Sequence, residues 1–404
     1  MANDILILGI IILIGFIGNF FFNKTKIPES IFLILIGILL GPIFNVVSNE
    51  FFINNATFLI SLALVVVLLD SGLKLNISKI IKNAPTAFVF TILVIISTVA
   101  IVSAVTVLVF DWPLINGIFL GIIGSGTTTI TVTHLVEKLS IGKNTKTMLV
   151  LESVVNDLTL ITAASVLISF ALPENSPSIF KILFNELVIS IILGIVFALI
   201  WAYIFLKHIH GNKLAYVFTL GIAFVIFDGV EFFGFNGAIS VLVFSLALGN
   251  YSAIAGKFKA YSKVLSPIKA DITIVRNINN EITFLMRTLF FVFLGVIFNT
   301  EAIKWAIIIF VFVITVAEAT SRYLAARALV IFEPKFRNSV PVMTTIVASG
   351  FTSTLVAFLS IEAGINIPNL AEIVLLLVIF TTLFSIISSA ILERRIRKYK
   401  IETY

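Results

Sequence analysis

The chain has 404 residues, of which 59% are hydrophobic and 12% charged, with a formal net charge of +6. A soluble domain carries about 25% charged residues, so the composition excludes a soluble enzyme and describes a membrane protein. There is no cysteine and there are only three histidines, which excludes disulfides, thiolate catalysis and cysteine-based metal sites.

A helix needs about 20 apolar residues to cross the hydrocarbon core. Thirteen such stretches follow one another: 3–22, 29–47, 57–75, 85–110, 113–136, 146–172, 178–206, 214–232, 235–250, 281–298, 303–330, 339–363 and 369–392. The first lacks a basic start and a small-residue cleavage site, so it reads as a span and not as a signal peptide. The connections are too short to hold a soluble domain. The boundary between spans eight and nine is the weakest, because GVEFFGFNG is short and itself apolar. Without a turn there the count falls to twelve. The expectation is an all-α polytopic membrane protein forming a single integral domain over 1–404.

Lys and Arg in short loops mark the cytoplasmic side. With the N-terminus outside and thirteen spans, 23 of the 27 basic residues fall on inner loops or on the tail RRIRKYK. Lys181 and Lys304 fall outside, and Arg287 and Arg322 lie within spans. The positive excess is therefore topological. It forms no single patch and implies no nucleic-acid partner. The expected location is the cell membrane, with a cytoplasmic tail at 393–404.

Two spans have a polar centre. Span five reads GIIGSGTTTITV and span twelve reads TIVASGFTSTLVAF. In each, a Ser-Gly pair (Ser125-Gly126, Ser349-Gly350) precedes a run of hydroxyl residues: Thr127, Thr128 and Thr129 in one, Thr352, Ser353 and Thr354 in the other. Gly and clustered Thr weaken a helix, and backbone groups freed at that depth survive only where protein or a cavity surrounds them. Paired interrupted helices at matching positions point to a transporter's binding site. Spans one to six (1–172) and eight to thirteen (214–392) then form two repeats. Span seven (178–206) is the linker that makes the second enter from the opposite side. Small residues that merely allow close helix packing are the plainer reading of the same pattern.

An ionisable side chain within a span is costly and is by default a functional candidate. Span six carries two, in MLVLESVVNDLTLI. Ser153 and Asp157 are four apart and share a helix face; Asn156 lies beside them. Asp157, Ser153 and the threonines of span five supply oxygen ligands suited to a small hard cation. Glu152 is five residues before Asp157, about 140° around the helix. It faces elsewhere and needs a cationic partner, for which Arg322 in span eleven is the candidate. Asp70 ends span three and is equally an interfacial group. Asp228 and Glu231 read as solvated, and His134 as a packed interfacial side chain. Arg287 and Glu318 receive no transport role from the sequence.

At these residues the chain resembles the monovalent cation/proton antiporter superfamily, in particular the archaeal and bacterial sodium/proton antiporters related to animal sodium/proton exchangers. LESVVND (151–157) is the most specific match, to a glutamate followed by an Asn-Asp pair. IPESIFLILIGILLGP, LLDSGLKLN, FNGAISVLVFSLALGN and MRTLFFVFLGVIF resemble other helices of that family, and Arg322 in TSRYLAARAL stands where it has an arginine partner for the glutamate. The resemblance implies an antiporter fold of inverted six-helix repeats with two interrupted crossing helices. It also implies a homodimer and elevator-type movement of a six-helix core.

It further implies Asp157 as the ion- and proton-binding carboxylate, with Asn156 ordering the crossing. Ser153, Thr127 and Thr128 of the threonine run, and Asp70, would handle the cation, and Glu152 and Arg322 would form a core ion pair. The substrates would be Na⁺, with Li⁺ or K⁺ as relatives, and H⁺. An Asn-Asp pair goes with one-for-one exchange. No cofactor is implied, and the protein would not be an enzyme. The chain departs from the pattern in two places. Relatives carry Thr-Asp-Pro where this one has Thr127-Thr128-Thr129, and span twelve reads Ala348-Ser349-Gly350-Phe351 in place of an arginine-glycine signature. A site with one carboxylate fewer points to weaker sodium binding or to potassium. A K⁺/H⁺ antiporter or a K⁺ efflux transporter on the same fold is thus the alternative.

Overall fold

The computed structural model describes residues 2–25, 29–46, 56–74, 85–171, 188–204, 214–251, 262–302 and 304–399. Among them the chain is helical throughout and forms no sheet. The helices are α1 (Ala2–Thr25), α2 (Glu29–Ile38), α3 (Ala56–Lys74), α4 (Pro85–Phe110), α5 (Leu114–Gly124), α6 (Thr129–Lys138), α7 (Lys143–Ala171) and α8 (Ser190–Ile204). They continue as α9 (Ala215–Phe232), α10 (Gly237–Gly249), α11 (Ser262–Val296), α12 (Trp305–Phe332), α13 (Val340–Thr345), α14 (Phe351–Glu362) and α15 (Leu370–Tyr399).

Span five is thus split into α5 and α6, and span twelve into α13 and α14. Counting each split span once gives thirteen spans among the described residues. Among the described residues six helices are long and apolar enough by themselves to cross a bilayer. The turn between spans eight and nine is real. α9 ends at Phe232, Gly234 takes a positive φ of 76°, and the Asn236 side chain caps α10 by accepting from the Ile239 amide at 2.8 Å. A left-handed position favours glycine, and Asn is a preferred N-cap.

Three departures from the expected spans have local causes. α2 continues into a π-helical turn, Leu39–Ile43, around Pro42, which has no amide hydrogen to donate. α11 begins at Ser262, well before the expected 281; the charged residues that lower its hydropathy do not interrupt helix formation. α15 runs on to Tyr399 through the basic tail for the same reason. Most of the segment expected before α8, 178–187, lies outside the described residues.

The chain divides into two compact units. The first holds Met1–Ala56, Asn83–Ala164 and Thr288–Tyr404. Here α4 packs on α12 and, closely, on α5, whose small residues face it. Gly117 rests on Ser103 and Thr106, and Gly121 on the Val99 backbone. Gly37 and Gly295 bring the backbones of α2 and α11 together in the same way. Phe290, Phe351 and Phe358 stack edge-on between α11 and α14, with Phe290–Phe351 centroids 5.0 Å apart.

The second unit holds Thr57–Lys82 and Ser165–Arg287. Within it Gly72 and Gly249 let α3 and α10 touch backbone to backbone. Ser190 accepts from Ser240 through its carbonyl and from the Asn236 amide through its hydroxyl, each at 2.9 Å. Trp201 Nε1 donates to Thr219 at 3.1 Å.

Candidate ion-binding site

The polar centre of the first unit is built on two breaks in helix. Between α5 and α6 the chain is non-helical at Ser125–Thr128, and between α13 and α14 at Ile346–Gly350. The two irregular segments meet: the Thr128 amide donates to the Ala348 carbonyl at 2.9 Å, and Gly350 lies directly against the Thr128 side chain. Such segments leave backbone groups without helical partners, and in a membrane every one of them needs another.

Asn156 of α7 supplies two of these partners. Its Oδ1 accepts from the Thr127 amide at 3.1 Å and its Nδ2 donates to the Ser125 carbonyl at 3.0 Å, all buried. The second break is held from α15, where Ser385 accepts from the Val347 amide at 3.0 Å and Thr381 from the Ser349 amide at 3.1 Å. The Ser125 hydroxyl turns back onto the Ile122 carbonyl at 2.8 Å and helps to end α5.

Asp157, one residue after Asn156, is partly exposed. Thr129, the first residue of α6, donates its hydroxyl to Asp157 Oδ2 at 3.1 Å. The carboxyl therefore stands at the positive end of a helix, where negative charge is favoured. The Thr127 hydroxyl is buried and has no partner among the described residues. Ser153 is buried and donates to the Val150 carbonyl at 2.9 Å, which leaves its oxygen able to accept or to ligate.

Glu152 and Arg322 are 0% and 1% exposed and form a two-pronged pair, Nη1–Oε1 at 3.2 Å and Nη2–Oε2 at 2.8 Å. Arg322 Nε adds a bond to the Met343 carbonyl at 2.8 Å, which ties α12 to α13 as well as to α7. The guanidinium also stands 5.3 Å from the Phe90 ring centroid. Glu152 thus faces away from Asp157, as the 140° angle requires.

The first unit brings Asn156, Asp157, Thr127 and Thr128 together, with Thr129. Asp70 belongs to the second unit. There Lys74 Nζ reaches its Oδ2 at 2.6 Å, and its Oδ1 is buried without a partner among the described residues. Asp228 and Glu231 are exposed, as expected. Three groups of the site are not singled out by the sequence. Thr129 was hidden inside an undifferentiated threonine run. Thr381 and Ser385 were readable only as hydroxyls four apart on one face of span thirteen.

An all-helical membrane protein whose two interrupted helices cross at a buried, oxygen-rich centre belongs to the class of secondary transporters built on inverted repeats. The chain matches the family described as sodium/hydrogen exchanger, transmembrane, over residues 9–394, and it belongs to that family. The family is one of exchangers and not of enzymes.

Its fold is similar to that of the sodium proton antiporter MjNhaP1 from Methanocaldococcus jannaschii at pH 8. The TM-score is 0.77 with 20% sequence identity, covering 97% of this chain and 96% of that one. An electron-microscopy structure of the same antiporter gives a TM-score of 0.71 at 19% identity, over 96% of this chain and 95% of that one. Among curated proteins, sodium/hydrogen exchanger 7 of Arabidopsis thaliana is 24% identical over 280 residues. That match takes in 63% of this chain and 24% of the plant protein, so the chain spans about a quarter of that relative's length.

Proposed function

We propose that the protein exchanges a monovalent cation, Na⁺ in the first place, for protons across the cell membrane, with Asp157 binding either one. The observation that carries this reading is Asp157 itself. It is a partly exposed carboxyl at the N-terminus of α6, touched by the Thr129 hydroxyl and standing beside a backbone break that Asn156 holds open. The carboxylate, the unpartnered Thr127 hydroxyl and the Ser153 oxygen are hard ligands of the kind such a cation takes.

A carboxyl that accepts a proton or a cation, never both, makes the two compete. An empty, charged site crosses the barrier poorly, so only loaded forms interconvert and the opposed fluxes are coupled. We assign the movement to an elevator-type alternating-access cycle in a homodimer, with the N-terminus outside and the C-terminus cytoplasmic. One-for-one exchange is assigned on the Asn156-Asp157 motif, which sets a neutral asparagine beside the carboxyl. On its sequence motif Asp70 is also assigned to cation handling, and Asp70→Asn is expected to lower cation affinity. Glu152 and Arg322 are the structural pair of the core.

A second reading is K⁺ for H⁺ on the same fold. It is favoured by the neutral Thr128 at the crossing, where Thr128 meets Gly350 and contributes no charge. The test is a pH-sensitive dye in proteoliposomes on addition of Na⁺, Li⁺ or K⁺ in turn. Na⁺-driven proton movement that disappears in Asp157→Asn, with the variant still folded, is the expected result. Unaltered exchange in that variant rejects Asp157 as the carrier group, and a response to K⁺ alone selects the second reading.

A further inference from the structure

Glu318 lies in the middle of α12 and is 2% exposed. Neither of its carboxyl oxygens has a hydrogen-bond partner among the described residues. The carboxyl is packed against Gly124, the last residue of α5, so closely that a Cβ there would collide with Oε1. That end of α5 offers it nothing to accept. The Ser125 amide is already bonded to the Gly121 and Ile122 carbonyls, the Gly126 amide to Ile123, and the Ser125 hydroxyl to Ile122. A helix C-terminus also carries partial negative charge.

Among the described residues no cation answers it either. Arg322 is one turn on along α12 and would be its natural i,i+4 partner. Its guanidinium is instead committed to Glu152 and to the Met343 carbonyl. Neither α4, α5 nor α13, which pack around this point, has a charged side chain. α14 has only Glu362, at its far end, and the turn Pro334–Ser339 has Lys335 and Arg337. α15 has Glu372 at its start and further charges only from Glu393 onward. On α7 the charges are Lys143 and Lys146 at its start, Glu152, which Arg322 holds, and Asp157, to which Thr129 donates.

A carboxylate so placed is stable only with a proton or a cation bound. A second buried oxygen without a partner lies against the irregular segment that follows Gly124. Ser353 Oγ, 1% exposed and without a partner among the described residues, lies against Gly126, two residues from Gly124.

We propose that Glu318 is a second exchangeable site of the first unit, distinct from Asp157, at which a proton and a monovalent cation compete. The neutral acid and the cation-bound carboxylate are its two forms, and binding of one cation releases one proton. Ser353 is the second oxygen ligand of the cation-bound form. The site ties the end of α5 to α12, so its occupancy bears on how the interrupted helix is held.

Dicyclohexylcarbodiimide modifies protonated carboxyls in apolar surroundings, and mass spectrometry of the labelled full-length protein in lipid nanodiscs locates the adduct. The experiment is done in Asp157→Asn, so that cation binding at Asp157 cannot produce the result. Glu318 is expected to be labelled, and Na⁺ or K⁺ is expected to abolish the labelling. In parallel, proton release on cation addition is expected to be smaller in Glu318→Gln than in the parent, with an unchanged melting temperature, because glutamine is isosteric with the neutral acid. Glu318 that is never labelled, labelling that Na⁺, Li⁺ and K⁺ all leave unchanged, or undiminished proton release in Glu318→Gln would each overturn the proposal.

Discussion

Gly350 and Thr128 are the point at which the two interrupted helices touch, and the contact leaves no room for a Cβ on the glycine. Gly350 has a negative φ of −157°, outside the left-handed region that favours glycine, and it is the closeness of the contact that demands glycine. Gly350→Ala is expected to destabilise the protein by about 1–3 kcal/mol, the usual range for an overpacked core. Adding Thr128→Gly should restore part of that loss. Thermal unfolding of the single and double variants forms a cycle, and strict additivity would argue that the two segments do not meet there.

Removing one partner of the Glu152–Arg322 pair strands a buried charge. Arg322→Met and Glu152→Leu are each expected to cost about 3–5 kcal/mol, and the double variant less than their sum. Melting temperature in detergent reads this out. A fully additive double variant would contradict the bidentate geometry.

Asn156 satisfies one amide and one carbonyl of the broken helix. Asn156→Ala leaves both unpaired, at about 1–3 kcal/mol for each buried group. Asn156→Asp can still accept from Thr127 but, as a carboxylate, cannot donate to Ser125. It also buries a second negative charge beside Asp157 and turns an oxygen towards the Ser125 carbonyl, so its loss of stability should be at least as large as that of the alanine variant. Equal stability of all three proteins would mean that the break is held elsewhere.

Thr129→Val keeps the shape of the side chain and removes the hydroxyl that reaches Asp157. Exchange should survive and need a higher cation concentration for half-maximal rate, because the charged carboxylate loses a donor. A half-maximal concentration equal to that of the parent would show that the bond does not act on the loaded site.

Glu333, in the turn after α12, is a surface counterpart. A hydrogen bond from Lys335, its Coulombic attraction, and a bond from Thr86 hold the carboxyl below its usual range, against a smaller opposing effect of burial. Its contribution is therefore present above the ordinary carboxylate range and lost as pH falls through the lowered value. The group is largely solvated, so Glu333→Gln should change stability at neutral pH by less than about 0.5 kcal/mol. A larger drop in melting temperature would reveal a role beyond that exposed pair.

Much of this was legible along the chain because a bilayer constrains sequence severely. Thirteen apolar stretches, the two Ser-Gly breaks and the carboxyls of LESVVND all stand out against a 12% charged background. What was not legible depends on which side chain reaches which. Thr129 is one of three adjacent threonines, and only the winding of α6 selects it for Asp157. Thr381 and Ser385 look like ordinary small residues of an apolar span until the irregular segment lies beside them. The start of α11 is not legible because hydropathy falls in its basic first half, which also contains Pro267, while the helix runs through both.

The sequence by itself determined the class of molecule, the number of spans and where two of them fail. Periodicity and hydropathy are local properties, and the membrane accepts few solutions to them. Pairing was decided by the tertiary structure. Arg322 had Glu318 one turn away on its own helix and Glu152 170 residues distant, and took Glu152. The reason is geometric: packing of α12 against α7 and α13 places a carboxylate and the Met343 carbonyl where the planar guanidinium can use both. The same packing leaves Glu318 against Gly124 with no charge to meet it.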